Sequence, residues 1–400
     1  MGALEVTDLP VPPFVETADT QPVVDAARAA GAIGFDTEFM REKTYRARLC
    51  LAQISAGDEV WLLDPLDGVD LKPIAELLAD KDVEVLIHAG RQDLEIFYET
   101  YGTIPRRIFD VQLAAAFAGY GASLSYGRLV EAVLEVKLEK GESYTDWCRR
   151  PLTDSQKRYA ADDVRFLGLL RRRLTERLDS MGRLAWFEEE MKALEDETSY
   201  LIDPDVLWQK VSGRGSLHPR ATAVLRELAR WREELAETRD LPRGWVVKDA
   251  TLVEIARKSP TTVEDLHRIR GLNRREADKS ARQILAAIQS GRSGRPVERA
   301  KAPSKSIQAR ARMVSGLADA LVRARCEEAR LATELVATRG ELEDLLTDAF
   351  NGRVDESKYR LLQGWRRELA GDAVLDLARG RLGVRVIPDP PYIKEVRVDG

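Results

Sequence analysis

The most informative pattern of apolar and polar positions lies at residues 32–39, which read Ala-Ile-Gly-Phe-Asp-Thr-Glu-Phe. The apolar run predicts a β-strand, and successive side chains of a strand point to opposite faces, so Asp36 and Glu38 project from the same side. Two ionised carboxylates side by side repel each other, and partial burial raises that cost. Folding alone does not explain the pair, and a bound metal ion is the simplest compensation.

The rest of the first half alternates strand-like and helix-like patterns. Apolar runs at 48–55 and 59–64, joined by Ala56-Gly57-Asp58, extend the opening strand into a predicted three-stranded meander. Thr153 or Asp154 is available as the N-cap of a long helix. The remaining predictions are strands at 83–88 and 107–110 and helices at 22–30, 71–79, 93–101, 111–118, 124–134 and 155–178. This order predicts a mixed sheet flanked by helices.

Downstream of residue 215 only helical patterns occur, and a stretch rich in Gly, Ser, Pro and basic residues at 290–306 is typical of a linker. The second half therefore predicts two all-helical domains. The complete domain prediction is an N-terminal arm at 1–21, an α/β domain at 22–205, a first helical domain at 214–290, a linker at 291–306, a second helical domain at 307–383 and an extended tail at 384–400.

Composition narrows the class of protein. The 400 residues are 44% hydrophobic and 32% charged, as in a soluble globular protein, and no run of about 18 uncharged apolar residues predicts a membrane span. The first residues are Pro-rich and acidic, without the features of a signal peptide. Cys50, Cys148 and Cys326 are far apart and form no metal-binding motif, which predicts neither structural zinc nor disulfides and favours a reducing cytoplasm.

The formal net charge of −5 is unevenly distributed, with an acidic excess in the first half and a basic excess in the second. An acidic domain that can hold cations is thus joined to basic domains that can hold a polyanion such as a nucleic acid. Solvated helix faces explain the same charges equally well.

Two further places can add to the acidic pair. Asp93 follows His88-Ala89-Gly90 at the start of a helix, where an acid is either a helix-stabilising residue or a third carboxylate at the sheet edge. Tyr159 and Asp163 are four residues apart on a helix and so share a face. Asp110, between a strand and a helix, is adequately explained by N-capping, and support of a neighbouring metal ligand is the alternative.

These residues carry a family resemblance. Asp36-Thr37-Glu38, Asp93 and Tyr159 with Asp163 resemble the three motifs of the DEDD exonuclease superfamily, in the branch with Tyr in the third motif. The chain is most similar to the ribonuclease D family, through His88-Ala89-Gly90, Asp93-Leu94-Glu95, Thr145-Asp146-Trp147, Arg150-Pro151-Leu152-Thr153 and residues 159–164. The resemblance implies a ribonuclease H-like α/β nuclease domain followed by two helical HRDC-like domains.

The resemblance also implies a mechanism. Asp36, Glu38, Asp93 and Asp163 would bind two divalent cations, Mg²⁺ or Mn²⁺, because both ions prefer oxygen ligands. Tyr159 would orient the attacking water, since an ordinary tyrosine pKa near 10 makes it a weak base. The implied activity is 3′→5′ hydrolysis of single-stranded RNA ends that releases 5′-nucleotides, and the implied substrates are tRNA precursors and other stable RNAs.

Basic side chains supply candidates for phosphate contacts, with solvated loops and helix faces as the alternative. The candidates selected for nucleic-acid binding are Arg41, Arg46, Lys248, Arg274 and Arg275. Tyr45 is a candidate for stacking on a terminal base. No obligate protein partner is evident. Two other functions stay open: a DNA 3′→5′ exonuclease, since the metal site does not read the 2′-hydroxyl, and a catalytically dead nucleic-acid-binding scaffold.

Overall fold

The strand patterns of the first half produce a six-stranded mixed sheet in a computed structural model, which describes residues 14–138, 145–297 and 303–398. Its strands are β1 (Phe14–Glu16), β2 (Ala32–Met40), β3 (Arg48–Ala56), β4 (Glu59–Leu63), β5 (Glu84–Ile87) and β6 (Ile108–Asp110). The order across the sheet is β1-β4-β3-β2-β5-β6. β2 pairs in parallel with β5, and β5 with β6, whereas β3 and β4 are antiparallel. The predicted mixed sheet is confirmed.

Helices flank this sheet close to the predicted positions. They are α1 (Gln21–Ala30), α2 (Lys72–Leu78), α3 (Arg91–Tyr101), α4 (Val111–Phe117), α5 (Tyr126–Leu134), α6 (Asp154–Arg165), α7 (Leu167–Ser180) and α8 (Leu184–Glu195). The prediction of one helix over 155–178 is wrong, because α6 and α7 are separated at Phe166. There the Phe166 N–H donates to the Tyr126 hydroxyl at 3.2 Å and the Val164 carbonyl accepts from Ser55, which interrupts the helical hydrogen-bond ladder.

The predicted N-terminal arm also needs correction, because residues 14–16 of it form β1 and pair with β4. The rest of the arm, residues 1–13, lies outside the described residues.

The prediction of no disulfide is wrong as well. Cys50 in β3 and Cys148, in the segment before α6, form a disulfide bond with their Cα atoms 5.1 Å apart. The two residues are 98 positions apart in the sequence, so their spacing contains no signal of the pairing. Only the return of the chain from α5 to the sheet brings them together.

The chain forms two compact units, and the first combines the nuclease domain with the C-terminal helical domain. The C-terminal helices are α14 (Lys305–Ala329), α15 (Thr333–Val336), α16 (Arg339–Phe350), α17 (Gly364–Arg366) and α18 (Asp372–Ala378), with a π-helical turn at Arg367–Gly371. Arg366 is buried and its guanidinium pairs with both Glu190 oxygens, while the Trp365 ring stacks on Trp186 at 5.2 Å. A buried cation that keeps a bidentate partner fixes this contact between α8 and α17.

The prediction of an extended tail after residue 383 is wrong. β7 (Leu382–Val386) and β8 (Ile393–Arg397) form an antiparallel hairpin. Arg325 of α14 holds the hairpin through both oxygens of Glu395, at 2.5 and 2.8 Å. Proline between the strands prevents pairing only at the turn, so a proline-rich stretch is compatible with a hairpin.

The second unit comprises residues 39–49 and the described residues from 200 to 297. Its helices are α9 (Pro219–Thr238), α10 (Arg243–Val246), α11 (Asp249–Lys258), α12 (Val263–His267) and α13 (Arg274–Ser293). Apolar residues of α9, α11 and α13, among them Leu225, Leu252 and Ile284, form one core. α13 extends into the predicted linker as far as Ser293, and residues 298–302 of that linker lie outside the described residues.

Among the described residues, none of the helices combines the length and the apolar character that crossing a bilayer requires.

Candidate active site

Three carboxylates from two distant elements meet beside the sheet. One oxygen each of Asp36, Glu38 and Asp163 can be chosen so that all three lie within 4.8 Å of one another. Asp36 and Glu38 share a face of β2, whereas Thr37 between them points to the other face and is buried. Asp163 comes from α6. The predicted convergence of Asp163 with the opening acidic pair is therefore present in the structure.

A glycine in β2 allows α6 to approach this closely. A Cβ atom at Gly34 would lie 2.1 Å from the Ser55 hydroxyl oxygen and 3.3 Å from the Val164 carbonyl oxygen. The Ser55 hydroxyl donates to that carbonyl at 2.8 Å, so β3 holds the end of α6 through the space that the glycine leaves. Any larger residue at position 34 would displace Ser55 or the helix that positions Asp163.

Asp93 reaches the site from the first turn of α3 and is only 8% exposed. Its carboxylate accepts a hydrogen bond from the Thr37 hydroxyl, which fixes it against β2. Asp93 is not one of the three residues whose oxygens lie within 4.8 Å, but its charge raises the pKa values of Asp36 and Glu38. It is thus next to the cluster and is oriented by the residue between the two strand acids.

Asp110 supports the loop before α3. Its carboxylate accepts from the Ala89 N–H at 3.1 Å and caps α4 through the Gln112 N–H at 2.8 Å, so the N-cap interpretation is confirmed. His88 packs its ring against Tyr126 and bonds the Leu124 carbonyl at 3.1 Å, and burial lowers its pKa. Both residues hold the loop in place and neither belongs to the carboxylate cluster.

Burial raises the pKa values of all four acids, and repulsion by neighbouring carboxylates adds to the shifts of Asp36, Glu38 and Asp163. Burial, followed by the charges of Asp93, Asp163 and Glu38, raises the pKa of Asp36 well above its ordinary value. Burial and the neighbouring carboxylates likewise raise the pKa of Glu38 to about 8. Burial raises the pKa of Asp93 to about 6, although the hydrogen bond from Thr37 opposes the shift. Without a cation, this site therefore disfavours its own ionised form.

Asp163 and Tyr159 act as a pair on α6. Burial and the charge of Asp162 raise the pKa of Asp163 to about 7, and a hydrogen bond from the Tyr159 hydroxyl opposes that shift. A capping box between Thr153 and Gln156 begins the helix, so Thr153, one of the two predicted candidates, is the N-cap. The Tyr159 ring lies 6.0 Å from the ring of Trp147, measured between centroids. The hydroxyl is therefore directed at the acidic cluster by a helix that is fixed at its first turn.

The donor set fits a divalent cation. All the candidate ligand atoms are carboxylate oxygens, which suit Mg²⁺ or Mn²⁺ better than zinc. A doubly charged ion would offset the burial that raises all four pKa values and the repulsion that adds to three of them, and the acids would then be ionised at neutral pH. The three oxygens within 4.8 Å are close enough to share one such ion.

The predicted RNA-contact residues differ in their surroundings. Arg41, Arg46, Lys248, Arg274 and Arg275 are all exposed, and the Arg46 guanidinium also pairs with Glu237 at 2.7 Å.

Tyr45 is not free to stack on a base, which corrects that prediction. Its ring packs against the core of the second unit and its hydroxyl donates to Glu233 at 2.5 Å. The Asp240 carboxylate accepts hydrogen bonds from the backbone N–H groups of Tyr45 and Arg46. Within the second unit, residues 39–49 are therefore bound to the first helical domain.

The sequence patterns predict no role for three features of the nuclease domain. Trp147, part of the Thr145-Asp146-Trp147 motif, is buried against Tyr159. Arg150 joins the Trp147 carbonyl to Asp64 and to the Cys50 carbonyl. Gln53 is fully buried in β3, and among the described residues its amide has no hydrogen-bond partner. A polar residue inside an apolar strand run was the available signal for Gln53.

Carboxylates clustered beside a mixed sheet, with a Tyr–Asp pair on α6, fit the site of a metal-dependent 3′→5′ exonuclease, the class that the family models identify. The sequence model of the family described as 3′-5′ exonuclease matches residues 16–179, that of the HRDC domain matches 221–288, and that of the ribonuclease D C-terminal HRDC domain matches 317–374. The chain belongs to the ribonuclease D family and is a 3′→5′ exoribonuclease.

Full-length relatives support that family assignment. The chain is 38% identical to ribonuclease D of Gluconacetobacter diazotrophicus over 370 residues, which cover 92% of each chain. It is 37% identical to ribonuclease D of Granulibacter bethesdensis, over 92% of this chain and 93% of the relative. The crystal structure of Escherichia coli RNase D, described as an exoribonuclease involved in structured RNA processing, matches with a TM-score of 0.78 and 28% identity over 92% of this chain and 99% of the other.

Proposed function

We propose that this exoribonuclease trims single-stranded 3′ ends of tRNA precursors and other stable RNAs in the cytoplasm, with two Mg²⁺ or Mn²⁺ ions held by Asp36, Glu38, Asp93 and Asp163. The observation that carries the proposal is the cluster of Asp36, Glu38 and Asp163 oxygens within 4.8 Å, with Asp93 held beside it by Thr37. Bound divalent ions supply an acidified water and stabilise the charge that develops on the departing 3′-oxygen.

The chain's own residues have distinct tasks in this reaction. Asp36, which feels the charges of all three other acids, provides the central negative charge of the site. Tyr159 donates its hydroxyl to Asp163 and is the side chain that can also hold and orient the attacking water. Thr37 and the Thr153–Gln156 capping box keep Asp93 and α6 in place while the reaction proceeds.

The substrate assignment rests on the relatives and on geometry. The Escherichia coli RNase D structure is described as that of an enzyme of structured RNA processing, which supports an RNA substrate with a 3′ extension. Asp36, Glu38 and Asp163 lie beside the sheet at partly buried positions and Asp93 is buried, so a terminal nucleotide has to leave its stack to reach them.

A tRNA precursor with a labelled 3′ extension tests the proposal directly. With Mg²⁺ or Mn²⁺, we expect stepwise shortening that stops near the mature end and releases 5′-mononucleotides, resolved on a sequencing gel and by chromatography. A DNA strand of the same extension sequence is the matched competitor. Faster loss of the DNA would replace the proposal with the DNA exonuclease alternative, and continued digestion into the tRNA body would indicate a general scavenger.

Tyr159→Phe should lower kcat by about 10-fold to 100-fold with little change in KM. The substitution keeps the ring beside Trp147 but removes the hydroxyl that orients water, and a misplaced nucleophile costs rate rather than binding. Single-turnover and steady-state assays on a short RNA measure the two constants. Tyr120→Phe is the matched control, and an unchanged kcat in Tyr159→Phe would contradict the assignment.

The double variant Arg274→Ala/Arg275→Ala should weaken RNA binding and lower the slope of log Kd against log salt by about 1–2. Both side chains are exposed at the start of α13, where they can each neutralise a phosphate. Fluorescence anisotropy between low and moderate salt measures the slope. Arg230→Ala is the control, because Arg230 is already paired with Asp205 and Glu227, and an equal loss in both variants would contradict the proposed contact.

A further inference from the structure

The segment from Thr145 to Thr153 supports α6, the helix that carries Tyr159 and Asp163. The segment is itself attached to the sheet at several points. Arg150 binds both oxygens of Asp64, and its guanidinium also donates to the Cys50 carbonyl at 2.5 Å. The same guanidinium donates to the Trp147 carbonyl at 2.7 Å. The segment is thus joined to β3 and to the end of β4 through one arginine.

Besides the Thr153 cap, contacts of Trp147 and Thr145 connect this segment to α6. The buried Trp147 ring lies 6.0 Å from the Tyr159 ring, and the Gln156 amide donates to the Thr145 hydroxyl at 3.1 Å. Displacing Trp147 would remove the surface against which the Tyr159 ring rests. Trp147 is therefore a positioning residue for the Tyr159 hydroxyl.

The Cys50–Cys148 disulfide attaches the same segment to β3 covalently. Cys148 is the residue that directly follows Trp147 in the sequence. Cys50 is fully buried, whereas Cys148 is partly exposed. Small thiols can therefore reach the bond from the Cys148 side, and accessible disulfides are the ones that exchange. Cys326 differs from both, because it is a buried free thiol whose pKa burial raises to about 11.

We propose that Cys50 and Cys148 form a reversible oxidation site that exchanges with small disulfides, and that its state determines how firmly the Trp147 segment supports Tyr159. The inference rests on the proposed role of Tyr159. Oxidised protein holds the segment covalently against β3. Reduced protein retains the Arg150 contacts but loses the bond beside Trp147, so Tyr159 is less well held and kcat falls.

The exchange balances with a low-molecular-weight disulfide such as oxidised glutathione. The Cys148 thiolate attacks one glutathione sulfur, forms a mixed disulfide and releases one glutathione thiolate. The Cys50 thiolate then attacks the Cys148 sulfur of the mixed disulfide and releases the second. Two protein thiols are oxidised, one small disulfide is reduced to two thiols, and two electrons are transferred.

The test uses the full-length protein equilibrated in reduced and oxidised glutathione mixtures, trapped with acid and an alkylating reagent. Peptide mass spectrometry should find the Cys50–Cys148 link in oxidising mixtures and its loss in reducing ones, with Cys326 reduced throughout. Steady-state cleavage of a short RNA at fixed Mg²⁺ should show kcat about threefold to tenfold lower in the reduced protein, with KM unchanged. Cys148→Ser should have the rate of the reduced protein in every mixture.

Tyr159→Phe distinguishes an effect of the disulfide on kcat through Trp147 and the Tyr159 hydroxyl from a general effect of the disulfide on stability. Because that variant lacks the hydroxyl that Trp147 positions, its residual kcat should no longer respond to the glutathione mixture. Cysteines that stay fully alkylated in oxidising mixtures, an equal kcat in both states, or an undiminished response in Tyr159→Phe would each overturn the inference. Equal cleavage in both states would leave the proposed function intact, whereas no cleavage in either state would contradict the proposed function as well.

Discussion

Asp36→Asn should lower the rate of RNA cleavage by more than about 100-fold. Substituting a residue that only hydrogen-bonds to a metal ligand already costs about 10-fold to 100-fold in metal affinity or activity. Asp36 is itself a proposed ligand, so a larger loss is expected. Asparagine keeps the shape of the side chain but removes a carboxylate whose pKa the charges of the three other acids raise. Gel-resolved digestion of labelled single-stranded RNA over a range of Mg²⁺ and Mn²⁺ concentrations measures the loss.

RNA binding should survive the same substitution. In EDTA the variant lacks an acidic group at the site that the RNA 3′ end has to reach. Its Kd for RNA should therefore equal or fall below that of the unmodified protein. Asp58→Asn in the exposed turn between β3 and β4 is the matched control, and both its rate and its Kd should be unchanged. Undiminished cleavage by Asp36→Asn would refute the metal assignment. Failure of the unmodified protein to cleave with either ion would favour the scaffold alternative.

The sequence predicted local structure well where one face of an element is buried. The alternation in β2 placed Asp36 and Glu38 on one face of that strand. The four-residue spacing placed Tyr159 and Asp163 on one face of α6. Both predictions depend only on the period of the element, which neighbouring residues determine. The meander of β2, β3 and β4 followed from short apolar runs separated by a turn.

The sequence could not predict features that depend on contacts between distant residues. The break between α6 and α7 arises because Tyr126 and Ser55 bond the backbone there, and neither is near in sequence. The Cys50–Cys148 bond and the Tyr45–Glu233 hydrogen bond have the same origin. The convergence of Asp163 on Asp36 was reached only through the family resemblance, because no periodicity relates a strand to a helix that follows much later.

The acidic cluster should make the metal-free protein less stable as pH rises from about 4 to 8. Glu38, Asp163 and Asp93 have ordinary pKa values of 4.5, 3.8 and 3.8, and in the folded protein their pKa values rise to about 8, 7 and 6. A group whose folded pKa is raised contributes stability that is present below its unfolded pKa and is lost as pH passes its folded pKa. Thermal unfolding in EDTA across this range should show the decline.

Comparing Tm with and without Mg²⁺, in the unmodified protein and in two variants, separates the contribution of these four acids from that of other titrating groups. Mg²⁺ should raise Tm more at pH 8 than at pH 5.5, because the cation binds ionised carboxylates and must displace protons at the lower pH. Asp36→Asn should have a higher Tm than the unmodified protein in EDTA at pH 8 and a smaller gain from Mg²⁺, since it lacks the buried carboxylate that the other three acids repel. Asp58→Asn should reproduce the unmodified curve. A metal-free Tm that is independent of pH, or an equal gain from Mg²⁺ in Asp36→Asn, would mean that these acids do not share a cation site.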